Sequence, residues 1–203
     1  MRVPRRSLVL AACAAGALSL AAAAGLTVLA PEGGKVSTTG VADIGGPFRL
    51  TTQDGKTLSD ADLKGTPFAV FFGFTHCPEV CPTTLWELSQ ALQKLGPDAD
   101  RIKVLFVTLD PARDTPELLK TYLASFDPHI VGLTGSEDEI AKLAKAYKVY
   151  WRKVPTDNGD YTLDHSAVVY LMDGNGAFTG TIAYQEKDEA QLAKLKSLAE
   201  AGS

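Results

Sequence analysis

Cys77 and Cys81 stand four positions apart, each followed directly by a proline, Pro78 and Pro82. Residues at i and i+4 share one face of a helix, so both sulfurs can point the same way. Two thiols so placed can exchange disulfides or bind a soft metal as thiolates. The plainer reading is an inert disulfide, which an oxidising compartment favours. Position argues against it, because structural staples gain most by closing long loops and this one would close almost none. His165 is the second candidate, flanked by Asp164 and Ser166 just before an apolar run. Alone it reads as a packed or solvated histidine. With two thiols it completes a Cys2His set that suits Cu(I), whereas zinc would accept the same donors but ordinarily takes a fourth. Asp164 is expected to accept from the imidazole and orient it, with simple solvation as the alternative.

Other polar residues are weaker candidates. His76 adjoins Cys77, but its side chain should diverge from the thiol, and it is left out of the site. His129 follows Asp127-Pro128 and is expected to face solvent. Asp110-Pro111-Ala112-Arg113-Asp114 falls at the end of an apolar run. Asp110 and Arg113 could be a satisfied ion pair in a turn, or could shape the rim on which a partner protein docks.

The elements that must position these groups are legible in the pattern. Phe68 to Phe74 is an unbroken apolar run ending just before Cys77 and predicts a strand buried on both faces. Leu85, Leu88, Leu92 and Leu95 then recur at helical spacing after Pro82, which belongs near a first helical turn. The cysteines therefore sit where a central strand hands over to a helix N-terminus. Open α/β sheets place their chemistry there, and the helix dipole favours thiolate.

Around this unit, Phe48–Thr52 and Lys56–Leu58 flank Asp54-Gly55 as a hairpin, and Ser59–Leu63 predicts a short helical turn. Ile102–Leu109 is a second central strand. A helix capped by Thr115 with Pro116 at its first position should run to about Phe126. Ile130–Leu133 is a short strand, and Ser136 with Glu139 forms a capping box for a helix through Tyr147. Lys148–Asp164 predicts a loop or flap. Ser166–Met172 is a core strand turned at Asp173–Gly176 into Ala177–Tyr184, and Asp188–Ala201 is a closing helix. This order predicts an α/β domain, a thioredoxin-like fold with an N-terminal hairpin and insertions.

Composition bounds the setting. Apolar residues make up 45% of the chain and the net charge is −4. Arg2, Arg5 and Arg6 are basic residues of the first thirty, which hold no acid, so the body is more acidic than the whole. Without a basic stripe, no nucleic-acid partner is expected. Ser7–Ala30 carries no charge, longer than a secretory core of about 7–15 residues and enough for a span of about 20. Residues 1–30 are expected to be an uncleaved anchor with its arginines in the cytoplasm; cleavage near Ala24 or Ala30 is the alternative. Leu10-Ala11-Ala12-Cys13 has a lipobox-like look, though Cys13 reads better as a buried residue of the anchor. Residues 31–45 read as a tether and 46–203 as the domain, outside the cytoplasm in every case.

The strings Phe-Gly-Phe-Thr-His-Cys-Pro-Glu-Val-Cys-Pro-Thr-Thr-Leu, Leu-Asp-Pro-Ala-Arg-Asp-Thr-Pro, Gly-Leu-Thr-Gly and Leu-Asp-His-Ser, in this order between Gly46 and Ala201, resemble the Sco/SenC family of copper-delivery proteins. The resemblance implies a thioredoxin-like domain binding one copper ion, as Cu(I) and also Cu(II), through Cys77, Cys81 and His165. It further implies a carrier rather than an enzyme, one that helps assemble the dinuclear copper-A centre of cytochrome c oxidase subunit II alongside other copper-assembly proteins. The expected setting is the bacterial inner membrane, with a monomeric domain in the periplasm or on the equivalent intermembrane-space side. The rival reading is a thiol-disulfide oxidoreductase that uses Cys77 and Cys81 as a redox-active disulfide to reduce the client's cysteines. A peroxiredoxin-type peroxidase lacks its Thr-x-x-Cys arrangement, since Thr75 is only two positions before Cys77.

Overall fold

The central strand is apolar at every position because it has no solvent face. In the structure, a computed structural model describing residues 43–157 and 159–201, this strand is β3, Phe68–Gly73, and all six of its residues are buried. It pairs in parallel with β4 (Lys103–Thr108) on one side and antiparallel with β8 (Val168–Met172) on the other. Parallel pairing continues from β4 to β5 (Ile130–Thr134). The hairpin β1 (Arg49–Thr52) and β2 (Thr57–Ser59) extends that edge, and β9 (Phe178–Ala183) closes the other. The seven strands run β2-β1-β5-β4-β3-β8-β9. This is the expected mixed α/β architecture with its N-terminal hairpin.

Helix α1, Val80–Leu95, buries Leu85, Leu88, Leu92 and Leu95 together with Cys81 and packs against the closing helix α4, Asp188–Glu200. It starts one residue ahead of Cys81, so the missing N–H of Pro82 falls among the helix's orphan donors and costs nothing. It ends at Gly96 with φ of 60°, a positive value that glycine adopts without strain. Helix α2, Pro116–Leu123, stops short of the expected Phe126, with Thr115 accepting from the Leu118 N–H at 3.3 Å. Helix α3, Glu137–Ala146, carries the expected Ser136–Glu139 capping box. Ordered contacts begin ahead of residue 46: Ile44 packs on the core and the Gly45 N–H donates to the Ala146 carbonyl at 3.1 Å.

Lys148–Asp164 is not a loop. It folds into a second, two-stranded antiparallel sheet of β6 (Trp151–Pro155) and β7 (Tyr161–His165). Arg152 and Lys153 in mid-strand hide the apolar alternation from which a strand would be read. The Asn158-Gly159 pair, a hairpin signal, was the cue to it. His165 consequently ends β7 rather than opening the core strand, which begins at Val168.

The expected anchor, its arginines and Cys13 lie outside the described residues. Among the described residues, no helix is long and apolar enough to cross a membrane.

His129 does not face open solvent. Its Nδ1 lies 2.6 Å from the Asp127 carboxylate and its Nε2 3.1 Å from that of Asp100. The hydrogen bond to buried Asp127 raises its pKa, partial burial opposes this, and Asp100 adds to the rise. A His whose folded pKa is raised contributes stability that is full below its unfolded pKa and is lost as pH rises through the folded value. The thermal midpoint should therefore fall as the pH rises above the ordinary His value of about 6.5, and a His129→Gln variant should lose that slope in melts followed by circular dichroism.

Candidate metal centre

Three elements converge on one point. The loop after β3 delivers Cys77, the first turn of α1 delivers Cys81, and the end of β7 delivers His165. The two sulfurs and an imidazole nitrogen all lie within 4.8 Å of one another. Cys81 Sγ is 3.6 Å from His165 Nε2, and the Cys81 backbone N–H donates to Cys77 Sγ at 3.3 Å. Both cysteines are free thiols in this structure. Cys81 is fully buried and Cys77 half-buried. The space in front of Cys77 and His165 is an open groove of about 290 Å³, walled by Phe74, Pro78, Val80 and Leu163.

Gly73 makes the approach of Cys81 possible. A β-carbon there would sit 2.7 Å from a ring carbon of Phe106 and 2.8 Å from Cys81 Sγ. Only a residue without a side chain lets the sulfur settle against the end of β3. Gly73→Ala is expected to push Cys81 off the strand and to destabilise the reduced protein by about 1–3 kcal/mol, measured by denaturant unfolding.

The imidazole is fixed by a carbonyl rather than a carboxylate. His165 Nδ1 is 2.9 Å from the Ser166 carbonyl oxygen, which can only accept. Nδ1 therefore carries the proton, and the lone pair of Nε2 faces the sulfurs, which is what a metal ligand needs. Phe74 meets the ring edge-on at 5.8 Å and Phe71 lies 6.4 Å away. Asp164 does not orient the ring. Neighbouring strand residues point to opposite faces, and the Asp164 carboxylate pairs with Arg152 at 3.4 Å on the exposed side.

Asp110 and Arg113 are not a docking rim either. Asp110 is buried, and its carboxylate accepts from Arg113 Nε and, at 2.7 Å, from the Tyr161 hydroxyl. Arg113 also donates to the Tyr161 carbonyl at 3.0 Å and to Asp160 at 3.2 Å. The same turn supplies a residue the sequence did not single out. Asp114, fully buried, accepts from the Thr75 N–H at 3.0 Å, the Thr75 hydroxyl at 2.6 Å and the Thr108 hydroxyl at 2.6 Å. It ties the Cys77 loop to the end of β4. His76 turns away from the sulfurs, with Nδ1 3.1 Å from the Thr75 hydroxyl.

The two thiols share one proton. The Cys81 S–H donates to the Cys77 sulfur and brings the Cys77 pKa down to about 4 against an opposing effect of burial, with the backbone N–H groups of Cys81 and Glu79 helping. Cys81 moves the other way, because its proton is held by the Cys77 thiolate and burial and that charge oppose a second ionisation. A position at the head of α1 supports the same polarity. That polarity makes Cys77 the more nucleophilic of the two sulfurs and leaves the proton on Cys81. Alkylation of Cys77 by iodoacetamide should keep its rate from about pH 8 down to about pH 5, where an ordinary thiol slows steadily, and should be lost only as the pH approaches the Cys77 value; mass spectrometry of the modified peptide measures this.

The chain is similar to proteins already known. The SCO1/SenC family model matches residues 36–200. The chain belongs to the SCO1/SenC family. It is 42% identical over 158 residues to "Protein SCO2, mitochondrial" of Saccharomyces cerevisiae, a match covering 75% of this chain and 52% of the yeast protein. The chain thus spans about half the length of that curated relative. The structure of Bradyrhizobium japonicum ScoI with copper bound is 52% identical, superposes with a TM-score of 0.72, and is covered over 99% of its length by 76% of this chain. A more distant neighbour, BsSco, described as a member of the Sco family of cytochrome c oxidase assembly proteins with a disulfide switch, is 25% identical with a TM-score of 0.62, covering 78% of this chain and 95% of its own.

Proposed function

We propose that this chain is a copper metallochaperone for cytochrome c oxidase assembly, carrying one copper ion on Cys77, Cys81 and His165. The observation that carries the reading is the convergence of two thiols and one correctly tautomerised imidazole within 4.8 Å. Two thiolates and one imidazole form a soft three-donor set that suits Cu(I). Loading would release the single proton shared by the cysteines, so binding weakens as pH falls. The copper-bound ScoI of Bradyrhizobium japonicum supports copper as the cargo.

Delivery to the dinuclear copper-A centre of subunit II would proceed by ligand exchange. An incoming client thiolate takes the place of one donor while the others hold the ion, and copper keeps its oxidation state. The open groove beside Cys77 leaves room for that approach. Residues 1–30 would tether the domain to the bacterial inner membrane with the site on the periplasmic face, as a monomer.

A second reading rests on the depressed Cys77 pKa. In it, the Cys77 thiolate attacks a client disulfide to form a mixed disulfide, and Cys81 displaces the client's second thiol. Two electrons pass to the client and a Cys77–Cys81 disulfide remains, for an external thiol reductant to restore. His165 has no part in that chemistry.

Copper stoichiometry on the reduced protein separates the two. The parent should hold one equivalent. His165→Ala should weaken retention against a competing chelator by at least the roughly 10–100-fold that loss of a supporting residue costs elsewhere, while leaving disulfide exchange intact. Unchanged copper affinity in His165→Ala sinks the three-ligand reading.

A further inference from the structure

Two of the three donors stand on the main domain, but the third stands on the β6–β7 sheet, which shares no ladder with the seven-stranded sheet. Something must therefore set where β7 lies. Strand alternation puts Tyr161, Leu163 and His165 on one face of β7, with Thr162 and Asp164 on the other. Leu163 is buried against the core and His165 faces the sulfurs. Tyr161, at the far end of the same face, meets the turn after β4. Its hydroxyl donates to Asp110 at 2.7 Å, its carbonyl accepts from Arg113 at 3.0 Å, and the Arg113 guanidinium lies 3.8 Å above its ring. Arg113 in turn is held by buried Asp110.

We infer that Asp110, Arg113 and Tyr161 form a clamp that positions the third ligand, so that His165 reaches the sulfurs only while β7 is locked to the turn after β4. A charge-assisted fork and a stacked cation fix both the height and the rotation of the strand. About 13 Å of extended chain separates Tyr161 from His165 at the usual rise per residue, and Leu163 midway prevents the strand from pivoting. None of the three clamp residues touches a sulfur. Opening the clamp leaves Cys77 and Cys81 in place, since the Cys77 loop is tied separately through Asp114. The clamp thus governs whether the site offers three donors or two. It rests on the three-ligand reading above.

The test uses the full chain with Arg113→Ala, Arg113→Lys, Tyr161→Phe and His165→Ala. Amide hydrogen exchange is measured on the metal-free proteins, and nitrogen hyperfine structure is measured by electron paramagnetic resonance after loading with Cu(II). Arg113→Ala should speed exchange in residues 161–165 by about tenfold while α1 and β3 keep their protection. It should also weaken the nitrogen signal in parallel with a loss of copper affinity of about 10–100-fold. Arg113→Lys, which keeps the charge beside Asp110 without the fork, should fall between, and Tyr161→Phe should show a smaller change of the same kind. Should Arg113→Ala fail to fold, Tyr161→Phe decides. Wild-type exchange in β7 with a wild-type nitrogen signal overturns the clamp, as does a uniform loss of protection across α1, β3 and β7. A nitrogen signal that survives in His165→Ala removes the three-ligand reading instead, and the metal-free exchange data still decide whether the clamp holds β7.

Discussion

The Cys81 sulfur lies against Gly73, the last residue of β3, at a spacing that leaves no room for a side chain. The asymmetry of the two thiols follows from that contact. The hydrogen bond to Cys77, together with burial there, keeps the Cys81 proton on, and that proton stabilises a thiolate on the half-exposed Cys77 four residues earlier. The pair is asymmetric because one sulfur is inside the sheet–helix seam and the other is at its lip. An exposed pair of thiols would titrate as near equals, and two fully buried ones would have no access to solvent.

Much of this was readable before any coordinates. The uninterrupted apolar run of β3 and the leucine spacing of α1 define a buried strand feeding a helix, and the cysteines at their junction were placed by that alone. Capping residues Thr115 and Ser136 located two further helices. What the sequence hid is the β6–β7 hairpin, because a two-stranded ribbon with charged residues in mid-strand has no clean alternation. That omission had consequences for the site. Without the hairpin, His165 seemed to open a core strand, and Asp164 seemed free to orient it. The carbonyl that does so belongs to the backbone of Ser166, and a backbone acceptor leaves no trace in side-chain identity.

The turn from Asp110 to Asp114 kept two readings in the sequence for a different reason. Two acids and an arginine at the end of a strand resemble an exposed rim, yet Asp110 and Asp114 are both buried. Burying a carboxylate is costly unless donors satisfy it. Here the donors come from Thr75, Thr108, Tyr161 and Arg113, residues spread over four segments of the chain. Apart from Arg113, three residues from Asp110, such partners cannot be inferred from local spacing.

That turn has an architectural consequence. Through Asp114 it grips the segment bearing Cys77, and through Asp110 and Arg113 it grips the strand bearing His165, yet it contributes no donor of its own. It behaves as a keystone, a short piece of chain whose removal unseats two arches at once. Damage to Asp110, Arg113 or Asp114 would mimic damage to the ligands themselves, and a survey that scored only donors would misplace its origin. Conversely, the outward-facing residues of the groove can change without disturbing the donors' mutual spacing, because that spacing is set from behind.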